Sequence, residues 1–223
     1  VTISATCLAT PIEADELDAQ AADLAIDMLT YHWPRLEVQK HPERRAEMAR
    51  YLAQSAERWD VPLSMLLSMA WFESTFRFEA TGYSRGEVGV LQVHGYATRG
   101  CNVETRWGAI DCGARWLAKG VEVCGDLPHA LVRYGTGKCE TDDDHVRVYV
   151  RRRLRLQKRL ERLYEFRKSV ASFIADSGRD REPARASRPN GGYDSLVGFQ
   201  RRGIADLRLQ NLAAFAAMPE APL

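Results

Sequence analysis

Residues 61–72 limit the possible folds more than any other part of the chain. Val61, Leu63, Met65, Leu66, Leu67, Met69, Ala70, Trp71 and Phe72 leave almost no polar face. A helix that is apolar all round has to be buried. Pro62, following Asp60, suits the first turn of such a helix, which is predicted to end near Ser74. Enclosing it requires other helices, and the chain supplies them. Residues 14–31 place Leu17, Ala21, Leu24, Met28 and Tyr31 at helical spacing. Further helices are expected over 42–59, 104–122 and 126–134. A long one is expected from Thr141 as N-cap to about 175, with Asp142, Asp143 and Asp144 against the positive end of the helix dipole. Gly82, Gly86, Gly89, Gly95 and Gly100 break the pattern between 77 and 100, so a loop-rich lobe with at most a short β-hairpin is expected there. The fold class is therefore all-α. Its expected parts are an N-terminal extension over 1–40 carrying an acidic helix, a helical domain over 41–175, and a linker with a C-terminal docking arm over 176–223. The linker reading rests on residues 177–194, and a short helix is expected at 203–217.

The formal net charge of +1 conceals two poles. The first thirty residues hold six acids and no Lys or Arg, whereas residues 147–168 hold ten basic residues against Glu161 and Glu165. Such polarity suits docking surfaces, or a basic face meeting an anionic polymer. No apolar run is long enough to span a bilayer. Cys101, Cys112, Cys124 and Cys139 lie eleven, twelve and fifteen residues apart with no C-x-x-C pair, so zinc is not expected. Two disulfides would imply an oxidising destination. Cys101–Cys112 with Cys124–Cys139 is the preferred pairing among the three that four cysteines allow, and four buried thiols are the alternative.

Glu73 is the candidate for chemistry. It closes the apolar helix, after Trp71 and Phe72 and just before the glycine-rich stretch. A carboxyl group in partly apolar surroundings is better able to keep a proton and pass it to a glycosidic oxygen. Ser74 stands beside it as a group that could orient the carboxyl. Taken alone, a glutamate at a helix end is more often a solvated terminal residue.

The neighbouring residues change that balance. Trp71-Phe72-Glu73-Ser74-Thr75-Phe76 resembles the E-S-x-F signature of soluble lytic transglycosylases, members of the lysozyme-like superfamily. Gly89-Val90-Leu91-Gln92 resembles the G-L-M-Q segment of that family, and Arg133-Tyr134-Gly135-Thr136-Gly137 its A-Y-N-x-G segment. Tyr149 resembles a later tyrosine on the next helix, and Trp59-Asp60-Val61-Pro62 the entry to the catalytic helix. Each match is weak, but they occur in the family's order over about 55–155.

The resemblance implies a lysozyme-like domain that cleaves the β-1,4 bond between N-acetylmuramic acid and N-acetylglucosamine in peptidoglycan. Glu73 would act first as acid and then as base. The muramic acid's own 6-hydroxyl would attack the anomeric carbon, giving a 1,6-anhydro product without a second carboxylate, metal or cofactor. Ser74 and Gln92 would line the cleft, and Tyr134 and Tyr149 would present hydroxyls near Glu73 and the sugar. Two departures stand out. Gly135 replaces the family's Asn, and Glu87 falls where a small residue is usual. As a second carboxylate Glu87 could support a hydrolytic muramidase, the alternative within this class; Glu79 and Asp111 are weaker candidates for that role. A further alternative is a docking component of a phage virion or envelope-spanning secretion assembly with little or no activity, which the charged extensions suit. Peptidoglycan strands are the expected partner, in the periplasm, facing the cell wall or carried in a phage particle. The run RRRLRLQKR at 151–159 lacks interleaved aromatics and reads as a solvated basic face or subunit contact rather than a nucleic-acid surface.

Overall fold

A computed structural model describes residues 14–82 and 86–179, with side chains at Glu16 and from Asp18 up to Glu165. Among the described residues the chain is helical with no strand, so the all-α expectation holds. The helices are α1 (Ala14–Thr30), α2 (Glu37–Lys40), α3 (Pro42–Arg58), α4 (Leu63–Ser74), α5 (Arg106–Cys124), α6 (Leu127–Thr136) and α7 (Asp144–Arg179), with a short 3-10 turn at Gly95–Thr98. The chain divides into two compact units, 1–161 and 162–223. The expected helix at 203–217 lies outside the described residues. No described helix is long and apolar enough to cross a membrane.

Helix α4 is the buried element that its sequence requires, with Met65, Leu66, Leu67, Met69 and Ala70 completely enclosed. Its polar residues are used at one seam. Ser64 Oγ donates to Glu161 Oε1 at 3.2 Å and Ser68 Oγ to the Arg153 carbonyl at 2.8 Å. Because Glu73 meets residues 149 and 153 further along, α4 and α7 run antiparallel. Helix α1 packs against α3. Buried Arg45 on α3 donates to Asp23 and pairs with Asp27, so two of the acids at the N-terminal pole are used inside the fold.

Two local expectations need correction. Thr141 does not cap α7: its hydroxyl accepts from Asp143 N in the preceding turn, and Asp143 caps the helix by accepting from His145 N at 2.8 Å. The short Asp side chain next to the first helical residue takes the N-cap position ahead of Thr141. Helix α7 also continues to Arg179, so the first residues of the expected linker are helical.

The loop lobe between α4 and α5 is held by two isolated antiparallel bridges, Thr81 with Val88 and Val88 with Val93. Two disulfides follow it in the chain. Cys101–Cys112 ties the loop to α5, and Cys124–Cys139 closes the chain around α6, with Cα separations of 5.7 and 5.4 Å. These are the preferred pairs, and they suit an oxidising compartment. A free-thiol titration of unreduced protein is expected to find one thiol, from Cys7, among the five cysteines. Reducing both bridges should lower stability by about 3 kcal/mol each, the scale for loops of this length, seen as an earlier unfolding midpoint. Five titratable thiols would remove the bridges from the account.

Candidate active site

The end of α4 is shaped by its own sequence. Thr75 and Phe76 both take left-handed backbone angles (φ 52° and 58°), which carry a steric cost for residues with a Cβ. Tertiary contacts hold them there. Phe76 is fully buried, and Ser74 Oγ donates to the Ala70 carbonyl while accepting from Arg77 N. Ser74 therefore secures the helix end that presents Glu73. It is buried and does not border the cavity, so the structure gives it neither the cleft-lining nor the carboxyl-orienting position expected from the sequence.

Glu73 is held through a single oxygen. Tyr149 Oη donates to its Oε1 at 2.7 Å, and Arg153 Nη2 donates to the same atom at 2.8 Å. Oε2 has no hydrogen-bond partner among the described residues. The side chains of Glu73 and Arg153 are 17% and 5% exposed, so this is a largely desolvated ion pair. Arg153 is fixed from two more sides. Its Nη1 donates to the Tyr149 carbonyl at 3.2 Å, and its guanidinium lies 3.3 Å from the Tyr149 ring centroid and 5.1 Å from that of Phe72. Its Nε is buried without a hydrogen-bond partner.

A cavity of about 340 Å³ opens on Glu73. Gln92, His94, Tyr134, Tyr149 and Glu87 share its wall, so all but Ser74 of the residues expected around Glu73 come together. Gln92 takes a left-handed backbone angle (φ 50°), and its amide nitrogen donates to the Ala80 and Gly89 carbonyls at 3.1 and 2.8 Å. Tyr134 on α6 donates to the Leu91 carbonyl at 2.7 Å, which anchors the Gln92 loop instead of reaching Glu73. That approach depends on Gly113 of α5: a Cβ there would lie 2.6 Å from Leu91 Cδ1 and 3.1 Å from the Tyr134 hydroxyl. Glu87 borders the cavity, whereas Glu79 pairs with Arg106 and Asp111 accepts from Trp59 Nε1 at 2.8 Å. Neither of these two weaker candidates borders the cavity.

Burial, followed by the nearby Glu73 carboxylate, raises the Tyr149 phenol far above the ordinary tyrosine range, and the same two causes raise Tyr134. Both therefore remain hydrogen-bond donors where a free tyrosine ionises. Because the folded value exceeds the unfolded one, their contribution to stability is complete below about pH 10 and is lost as pH climbs beyond it. An ultraviolet phenolate titration should show Tyr134 and Tyr149 ionising together with alkaline unfolding, after the exposed tyrosines. Early ionisation of either one, identified by its Phe variant, would contradict their burial.

Sequence reasoning missed Arg153 and His94. Arg153 was absorbed into the basic run, yet it lies four residues beyond Tyr149 and seven before Leu160, on the stripe that faces α4. That register was the available signal. His94 follows Gln92 by two residues in a loop with no periodicity, so nothing local marked it. Among the described residues no group of His, Cys, Asp and Glu could hold a metal ion. Comparison of the chain with family models, curated proteins and solved structures returns no match.

Proposed function

We propose that the protein is a glycan-cleaving enzyme acting on peptidoglycan, and in particular a lytic transglycosylase with Glu73 as its single acid and base. One observation carries this reading. A carboxyl group at the end of a buried helix is fixed through one oxygen, has a second oxygen without a protein partner among the described residues, and borders a cavity walled by Gln92, His94 and two tyrosines. The order of segments resembling the transglycosylase family adds support from the sequence.

In the reaction, Glu73 gives its proton to the glycosidic oxygen as the bond to the anomeric carbon breaks. The resulting carboxylate takes the proton of the muramic 6-hydroxyl as that oxygen closes on the same carbon. Tyr149 and Arg153 keep the carboxyl group in register, a positioning effect of the kind that dominates when a reaction needs close alignment. The test is mass spectrometry of products from purified sacculi. Glu73-dependent 1,6-anhydro-muropeptides support the reading. Glu73-dependent reducing ends replace it with a hydrolase and direct attention to Glu87.

The Arg153 pair favours a second reading. Two donors already occupy Oε1, and one of them is a buried guanidinium. A carboxyl group that serves as such an anchor would leave a protein that holds glycan within an assembly without cutting it. Sacculi that bind the protein yet yield no product would support this second function.

A further inference from the structure

A second cavity, of about 420 Å³, adjoins the first. The two share Gln92, His94, Tyr134 and Gly135 as wall residues. Gly135 stands where the resembling family has an amide side chain; here there is none, and a Cβ at 135 would only reach ordinary contact with the Tyr149 ring at 4.0 Å. The two cavities are therefore neighbours, with no side chain at position 135 between them.

The second cavity has a different chemistry. Its walls include Tyr96, which is 73% exposed and carries the Arg99 guanidinium 4.4 Å from its ring centroid, and Trp116, aromatic residues of the kind that line ligand sites. They also include Arg133 of α6, whose guanidinium lies 4.8 Å from the Trp116 ring centroid. Arg133 Nε is buried without a hydrogen-bond partner. Among the described residues Arg133 has no ion-pair partner, and no Asp or Glu borders this cavity. The cationic side chains near Glu73 and Glu79 are different: Arg153 and Arg106 are each neutralised by a protein carboxylate. A guanidinium stacked on an indole and left uncompensated in a cavity wall is a site for a carboxylate, which it can bind through two N–H groups.

We infer that Arg133, with Trp116 and Tyr96, forms a subsite that selects saccharides bearing a carboxylate over neutral ones. The inference rests on the glycan reading of the Glu73 cavity. In peptidoglycan a carboxylate can come from the lactyl group of an unsubstituted muramic acid or from the peptide stem.

The experiment measures dissociation constants in the Glu73→Gln background, so that ligands are not consumed. Three tetrasaccharides serve as probes: chitotetraose, the muramic acid alternate with free lactyl groups, and the same alternate carrying peptide stems. A carboxylate-bearing probe should bind about tenfold more tightly than chitotetraose, a difference of roughly one charge-assisted hydrogen-bond pair. The preferred probe identifies which carboxylate is read. Arg133→Met should abolish the preference, so that this variant binds the carboxylate-bearing probe and chitotetraose alike, and Arg133→Lys, which keeps the charge and protects the fold, should retain part of it. An unchanged preference in both variants overturns the subsite and leaves the glycan reading standing. Failure of all three probes to bind the parent protein overturns both.

Discussion

Glu73→Gln is expected to reduce release of anhydro-muropeptides from sacculi by about 10³-fold or more, since in the proposed reaction one carboxyl group carries both proton transfers and each is ordinarily worth about 10²–10⁴. The fold should persist. The amide has the same shape, and its oxygen still accepts from Tyr149 Oη. Arg153 is left as a buried charge with its carboxylate gone, however, so unfolding should come earlier, by about 3 kcal/mol on the scale of broken buried pairs. Product mass spectrometry with thermal unfolding of the same samples checks both parts. A variant that folds and still cuts would remove Glu73 from the mechanism.

The second large effect concerns Arg153, and its direction is informative. Arg153→Met should also lower stability by about 3 kcal/mol. If the guanidinium positions Glu73, kcat on a soluble glycan should drop about 10²-fold with KM nearly unchanged, as for other small misplacements of a reacting group. Arg153→Lys should recover part of that loss, because it restores the charge without the fork that also reaches the Tyr149 carbonyl. A rise in kcat would mean that the ion pair restrains the carboxylate, which is the behaviour expected under the assembly-component reading.

How much could be read from the sequence depended on how locally each feature is encoded. Helix α4 was fully legible, because a run from Val61 to Phe72 with hardly a polar side chain has few other homes. The helices α1, α3, α5 and α6 lie within two residues of the expected ranges at each end. The candidate site was legible where short segments resembled known ones: Glu73, Gln92, Tyr134, Tyr149 and Glu87 do border one cavity. What each residue touches was not legible. Tyr134 and Tyr149 read alike in sequence, yet one bonds a loop carbonyl and the other the carboxylate, a distinction set by the packing of α5 and α7. Ser74 looked like a cleft residue because it adjoins Glu73, but the turn of the helix sends its side chain inward. Arg153 was hidden among exposed arginines, since a charge count cannot tell a buried guanidinium from a solvated one.

The two halves of the candidate site also differ in how they are anchored. Glu73 terminates a helix sealed inside the core, and such segments exchange their amide hydrogens only when the whole unit opens. Gln92 and Glu87 belong to a lobe without a regular ladder, held by two isolated bridges, a few side-chain bonds, a disulfide and the buried side chains of Val90, Leu91 and Val93. Segments short of regular backbone hydrogen bonds open locally at lower free energy than a core helix. Under the proposed function, that difference would let the wall facing a ligand rearrange while Glu73 stays fixed. Amide exchange should divide along the same line, with slow protons through Met69 and Ala70 and faster ones around residues 86–95. For a polymeric substrate of the kind proposed, entry and release would be paced by the lobe, and the alignment of the carboxyl group would survive each passage.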